Sequence, residues 1–309
     1  MAERKIARVI YSKSLSPVLQ IVRIASEDGS KFPDYKAGQH IALSRDNCKL
    51  TRKVIDEQGL KSYVYDVDET GNPKRGHVTH SYSIVSAPFE TVQRGYLEFY
   101  IALEVMKEGR YGRLTESLFQ MEPNSDDNIY FMNKIVGEFT LDKILHGARH
   151  IVMVGTGTGL APFASMLKQL HYETSRGIHH NIAVTLFHAN RTVAELGYHT
   201  ELQAIEASRT LDFVYVPSVS RPIERDYDDA LLGIGRANNV LRSVFDLPPQ
   251  VGRQHPVSPK LPSRISKQEL LKRMKPEESI ILTCGNPDLM EDVKTIAQQK
   301  GFRFEMEEW

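Results

Sequence analysis

Apolar positions in the first half alternate with polar ones over short stretches, the period-two pattern of half-buried strands. Residues 6–11 and 18–24 predict two such strands, and residues 40–43 predict a third, entered after Gly38. The pattern resumes at 81–85 and again at 97–104, with Gly95 turning the chain before the latter. Between 45 and 79, Lys, Asp, Gly and Pro interrupt each apolar patch. That interval reads as an elaborated loop carrying one edge-hairpin strand at 61–67. Short β segments of this kind predict a small closed antiparallel sheet, because closure removes exposed edges.

After residue 150 the grammar changes. An apolar run at 151–154 is followed at once by Gly155, Thr156, Gly157, Thr158 and Gly159, then by a helical pattern over 161–170. Strands are predicted at 182–187, 213–216 and 280–282, and helices at 198–205, 237–245 and 288–299. Strand–helix alternation predicts an α/β domain with a largely parallel sheet. The expected division is a β-barrel domain over 1–147 and an α/β domain over 148–309. Residues 247–264, rich in proline, read as a surface excursion; Ser266 then caps a helix over 266–274.

Composition narrows the function classes. Thirty-nine Lys plus Arg balance thirty-nine Asp plus Glu, which argues against a polybasic nucleic-acid wrapper. Neither a signal peptide nor a membrane-spanning run is legible, so a soluble cytoplasmic protein is expected. The two cysteines, Cys48 and Cys284, sit in unrelated contexts and favour a reducing compartment without a metal cluster.

Candidate chemistry centres on the glycine turn. Strand, glycines and helix in that order let backbone approach a phosphate and offer it free N–H groups. No Lys follows, which disfavours a nucleoside-triphosphate site, and Leu160 breaks a full GxGxxG pattern. A dinucleotide site and a tight core turn both fit the segment by itself. His146 and His150 lack the Glu of HExxH, Asp66, Asp68 and Glu69 lack a calcium-loop series, and no GxSxG elbow occurs. No metal is therefore expected. His80 fits a polar strand residue, a phosphate donor or a proton-transfer group. Cys284 fits a small buried residue or a neighbour of a reactive ligand. Trp309 fits core-edge packing, stacking on a cofactor or a free terminus.

Four segments taken in order carry a resemblance: Tyr82-Ser83, Gly112-Arg113-Leu114-Thr115, residues 155–162, and residues 284–290. Together the chain resembles the ferredoxin/flavodoxin–NADP reductase family over most of 5–309, closest to the bacterial type with an aromatic carboxy terminus, here Glu308-Trp309. The resemblance implies a two-domain flavoenzyme, an antiparallel FAD-binding β-barrel followed by an α/β parallel-sheet domain for NADP(H). By resemblance, Tyr82 lies on the isoalloxazine face and Ser83 points toward flavin N5. His80 stands where the family carries Arg, near the FAD pyrophosphate. Gly112 and Thr115 belong to an FAD phosphate turn, and residues 137–139 to a segment supporting barrel closure.

The same resemblance makes Gly155, Thr156, Gly157, Thr158 and Gly159 the NADP pyrophosphate turn. Arg191, Arg221 and Arg236 fall around the adenosine 2′-phosphate and neighbouring phosphates, groups suited to the multidonor guanidinium, and Ser220 is a further cofactor-binding residue of the same segment. Cys284 shapes the nicotinamide site, and Trp309 stacks on the adenine side of FAD. Tyr82, Ser83 and Cys284 are the expected catalytic trio. The implied reaction exchanges electrons between NADPH and ferredoxin or flavodoxin through FAD. A reductase component supplying an oxygenase, and a nucleotide-binding scaffold, are the alternatives.

Overall fold

The computed structural model describes residues 3–106, 109–250 and 257–307. The chain divides into two compact units, one comprising residues 1–35, 40–83 and 91–136, the other 36–39, 84–90 and 137–309.

The first unit is antiparallel. Its elements are β1 (Arg4–Ser16), β2 (Leu19–Ser26), β3 (His40–Lys49), β4 (Thr51–Ile55), β5 (Lys61–Tyr65) and β6 (Arg75–Ser83), then α1 (Pro88–Arg94), β7 (Leu97–Ala102), α2 (Arg113–Phe119) and β8 (Ile129–Val136). Helix α1 runs from the second unit into the first. Six strands form one sheet in the order β6-β3-β8-β1-β2-β7. Alternation explains the core: Ile41 and Leu43 of β3, Ile129 and Phe131 of β8, and Ile24 of β2 are fully buried. Strands β6 and β7 are not hydrogen-bonded to each other, yet Tyr82 of β6 meets Phe99 of β7 edge-on, ring centroids 6.4 Å apart. The barrel closes through side chains there, where the sequence predicted closure in general terms.

The interval 45–79 departs from the expected loop. Strand β3 continues to Lys49 and β6 begins at Arg75, while β4 and β5 pair as a separate two-stranded sheet. The edge-hairpin strand expected at 61–67 is β5, while its partner β4 and the extensions of β3 and β6 were missed because they carry no continuous apolar face. Asp68 shows what its carboxylates do: its Oδ1 accepts the N–H groups of Thr70 and Asn72, an ordinary turn.

The second unit contains α3 (Leu141–Ile144), β9 (His150–Thr156), α4 (Ala161–Ser175), β10 (Ala183–Asn190), α5 (His199–Ser208), β11 (Phe213–Val219) and β12 (Gly233–Ile234). These are followed by α6 (Ala237–Val244), α7 (Lys267–Arg273), β13 (Ser279–Cys284), α8 (Pro287–Lys300) and β14 (Arg303–Met306). All pairs in its sheet are parallel, in the order β12-β11-β10-β9-β13-β14. From β9 the chain steps outward to β12 and returns on the opposite side of β9 as β13. In open α/β sheets, ligands bind at the carboxyl ends of strands flanking such a reversal. Val152, Val154, Phe187 and Ile281 pack with Val240 and Leu241 of α6 and Val293 and Ile296 of α8 on one sheet face. The excursion after Leu247 returns to the sheet, since Lys260 and Ile234 exchange backbone hydrogen bonds. Ser266 Oγ accepts Glu269 N–H at the start of α7, as expected for its cap. No helix among the described residues is long and apolar enough to cross a membrane.

Candidate functional site

The reversal between β9 and β13 is built around glycines, two of which, Gly159 and Gly285, have no room for a side chain. After β9 the chain makes a 3-10 turn, Gly157–Leu160, before α4 begins. A Cβ on Gly159 would lie 2.2 Å from the Cys284 carbonyl oxygen, so the turn abuts the end of β13 directly. Gly285 holds φ +130 against Thr156, a backbone conformation that L side chains rarely adopt. Gly157, at φ +54, faces open space instead. Thr156, Gly157 and Thr158 are half-buried, while Gly155 and Gly159 are buried. The turn is thus pressed against β13 at one glycine and open at the next, the shape of a cradle for an anionic group.

Cys284 ends β13 level with Gly155 of β9. Its thiol is buried and donates to Glu307 Oε2 at 2.9 Å. Burial pushes the Cys284 pKa well up, and the Glu307 carboxylate pushes it further, so the sulfur is a neutral thiol. Thr283 Oγ1 donates to the Val154 carbonyl at 3.0 Å and ties the two strands together at this end. Glu307 escaped sequence reasoning, because only the β13–β14 register brings it to Cys284.

The arginines gather at the adjacent strand ends. Asn190 and Val219 are register partners at the ends of β10 and β11. The N–H of Ser220 donates to the Asn190 carbonyl, and that of Arg221 to the Arg191 carbonyl at 2.8 Å. Gly235 N–H donates to Val219, placing Arg236 beside the same edge. Arg221 and Arg236 are exposed, and among the described residues their guanidinium groups make no hydrogen bond or ion pair. Arg191 differs: Nε and Nη2 both engage the carboxylate of Glu195, with Nε to Oε2 at 2.8 Å. Ser220 Oγ donates to the Asn190 carbonyl at 3.3 Å. The structure therefore brings Arg191, Ser220, Arg221 and Arg236 to one edge, two of the arginines with open donors.

In the first unit, His80, Tyr82 and Ser83 all lie on β6. His80 and Tyr82 share one side of the strand and Ser83 the other, as period two requires. His80 is exposed, Tyr82 half-buried and Ser83 buried. Burial raises the Tyr82 phenol pKa, so the ring is neutral. Gly112 precedes α2, where a Cβ would meet the Glu104 carboxylate at 2.4 Å and Thr115 Oγ1 at 2.7 Å. The Thr115 hydroxyl donates to the Gly112 carbonyl at 3.1 Å and accepts Glu104 N–H at 3.3 Å. It braces the turn, leaving one lone pair for another donor.

Residues 137–139 fall in the second unit, where Phe139 packs on Phe163 of α4, ring centroids 5.9 Å apart. His146 sits in a turn at φ 37, and buried His150 bonds Thr185 and Ser279, so the two share no helix face. Trp309 lies outside the described residues.

Residues 153–232 match the oxidoreductase NAD-binding domain family. A flavodoxin/ferredoxin–NADP reductase of Buchnera aphidicola is 24% identical over 234 residues, covering 76% of this chain and 75% of the relative. That of Rhodobacter capsulatus is 34% identical over 137 residues, covering 44% and 43%. The crystal structure of a ferredoxin NADP+ reductase from Neisseria gonorrhoeae with bound FAD and NADP superposes with a TM-score of 0.65 at 20% identity, covering 99% of both chains. The antiparallel sheet and the parallel sheet with its glycine turn thus give this chain the two-domain fold of that reductase, and about three-quarters of its length is similar in sequence to a flavodoxin/ferredoxin–NADP reductase.

Proposed function

We propose that the protein is an FAD-dependent oxidoreductase exchanging electrons between NADPH and ferredoxin or flavodoxin. The observation that carries the reading is the β9–β13 reversal, where a glycine cradle opens beside an edge bearing two unpartnered arginines. We assign residues 1–147 to FAD and residues 148–309 to NADP(H).

The residues present fit these groups. Gly155, Gly157 and Gly159 keep the turn bare of side chains, and Thr156 and Thr158 add hydroxyls beside it. Arg221 and Arg236 supply charge-assisted donors for a 2′-phosphate, with Ser220 and Arg191 on the same edge. Tyr82 offers a neutral aromatic face, Ser83 a hydroxyl, and Gly112 and Thr115 the turn at the start of α2 for an FAD phosphate. His80, exposed on the Tyr82 side of β6, offers a ring N–H donor for an FAD phosphate.

Bound FAD would supply the link between two-electron hydride chemistry with NADPH and one-electron transfer to a carrier. The protein's part is to hold and orient. Cys284, kept protonated and neutral, fills the end of β13 without adding charge where a nicotinamide is received. No hydrolytic base is needed, because the rate is set by distance and orientation. We place the reaction in a reducing cytoplasmic setting, which both free thiols suit. We assign Trp309 to the adenine side of the flavin, on the resemblance alone.

The deciding experiment is anaerobic reduction of FAD-loaded protein by NADPH, followed by ferredoxin, flavodoxin or an oxygenase component in turn. Bleaching of the flavin and reoxidation by either carrier is the expected result. Reoxidation by the oxygenase component alone would move the acceptor to that class. Tight NADPH binding without bleaching would leave a scaffold.

A further inference from the structure

We propose that Glu195 is a positioning residue for nucleotide selectivity, acting through Arg191. The inference rests on the NADP(H) reading above and adds a residue that is itself no phosphate ligand.

Glu195 lies in a short 3-10 turn after β10 and is only 5% exposed. Its two carboxylate oxygens receive two separate donors of one guanidinium, Nε and Nη2 of Arg191. This side-on bidentate geometry fixes the guanidinium plane as well as its location. The backbone secures the same assembly. Asn190 Nδ2 donates to the Glu195 carbonyl at 2.6 Å, and Asn190 Oδ1 accepts Arg191 N–H at 2.9 Å. The Arg191 carbonyl in turn receives Arg221 N–H. The 190–195 turn and the Arg221 loop are therefore one hydrogen-bonded piece.

With Nε and one face of Nη2 occupied, Arg191 retains Nη1 and the outer N–H of Nη2 for a ligand. Its side chain is 39% exposed, against 6% for Glu195, so the remaining donors are on the open side. A long flexible cation is thereby converted into a fixed donor beside the two free arginines. Ordering the side chain in advance removes an entropy cost that an unheld Arg meets on binding. The carboxylate also has the wrong sign for a phosphate neighbour. Its presence therefore makes sense as a brace rather than as a ligand.

The test measures binding of 2′,5′-ADP and 5′-AMP by calorimetry to the FAD-loaded protein, its Glu195→Ala and Glu195→Gln variants, and Arg191→Ala and the double variant. Wild type should prefer 2′,5′-ADP; if it shows no preference, the 2′-phosphate reading itself fails. Given that preference, Glu195→Ala should weaken 2′,5′-ADP by about tenfold, the size of one charge-assisted hydrogen bond, with 5′-AMP unchanged. Glu195→Gln, which keeps the volume and one acceptor, should fall between. In the Arg191→Ala background, Glu195→Ala should add nothing further. Tighter 2′,5′-ADP binding in both Glu195 variants would overturn the proposal, since the carboxylate would then act only as a repelling charge. An undiminished effect in the Arg191→Ala background would overturn it equally.

Discussion

The Cys284 thiol and the Glu307 carboxylate form a buried pair 2.9 Å apart, at the strand end where the glycine turn meets β13. Parallel pairing makes it: Thr283 lies opposite Met306, and Glu307 N–H donates back to the Thr283 carbonyl. A carboxylate receiving S–H holds the proton on sulfur. The same contact that positions Cys284 therefore disarms it as a nucleophile.

Thiol chemistry follows. Both cysteines are free and buried, and burial raises the pKa of each. Native protein at pH 8 should leave both thiols unlabelled by a disulfide reagent over minutes, with both labelled after denaturation. Rapid native labelling mapped to Cys284 by mass spectrometry would contradict the buried pairing with Glu307.

Gly159→Ala should be the most damaging single change in the turn. Its Cβ would collide with backbone, the Cys284 carbonyl at 2.2 Å, which cannot rotate away as a side chain can. A stability loss of about 1–3 kcal/mol is expected, as for overpacking elsewhere, together with loss of NADPH binding. Gly157→Ala meets no atom within 4 Å and carries only the strain of its positive φ, so it should be milder. Denaturant unfolding of the two variants side by side measures the difference, and equal losses would speak against the close approach of the turn to β13.

Arg221→Ala/Arg236→Ala should lower NADPH affinity at least about tenfold while leaving NADH affinity nearly unchanged, because only NADPH carries the extra phosphate. Arg191→Ala should act in the same direction and by at least about tenfold, since it removes the guanidinium that Glu195 holds in place. Titrations at fixed salt and matched FAD content read the outcome. Parallel losses for both nucleotides would remove the 2′-phosphate assignment.

Tyr82 separates ring from hydroxyl. Its phenol pKa is raised by burial, so it stays protonated across the working range. Tyr82→Phe should therefore keep FAD binding and leave the pH profile of flavin reduction unaltered between pH 6 and pH 10. Tyr82→Ala loses the ring and its edge contact with Phe99, and should weaken FAD by about 1 kcal/mol or more. A new pH limb in the Phe variant would show the hydroxyl to be chemically engaged.

The second unit was the more legible in sequence. Its strands are buried on both faces and read as apolar runs, and a glycine turn stands between strand and helix at the proposed phosphate edge. Strands β12 and β14 escaped, the first being two residues long and the second, Arg303–Met306, alternating with charge at its surface. In the first unit β8 escaped because Asn133 and Lys134 interrupt its apolar run, and only its ladders with β1 and β3 define it. Of the β4–β5 hairpin only β5 was expected, within 61–67; β4 exposes Ile55 and gave no inner face to find. Among the proposed site residues, the glycine turn was visible in the sequence, while the arginines entered only through the family resemblance. Glu307 and the bracing role of Glu195 did not, since each depends on a partner brought up by tertiary pairing.

Buried histidines give the protein an acid-side stability limb of predictable sign. Burial holds the His150 pKa down to about 4, and burial with neighbouring His199 holds His188 down to about 3. Both rings are neutral when folded, whereas unfolded they titrate near 6.5. Below that value the unfolded chain binds more protons, so stability falls as pH falls from 6.5 toward 4. Each such ring contributes a slope of about 1.4 kcal/mol per pH unit in that window. The depressed carboxylates, among them Asp46, titrate below it when unfolded, so the window isolates the histidines. His150→Gln, placed between Thr185 and Ser279, keeps an amide that bonds both hydroxyls and removes the titration. Urea unfolding at steps between pH 4.5 and pH 7.5 should give this variant a shallower slope by about one proton. An identical slope in both proteins would mean that His150 is already accessible to solvent in the folded state.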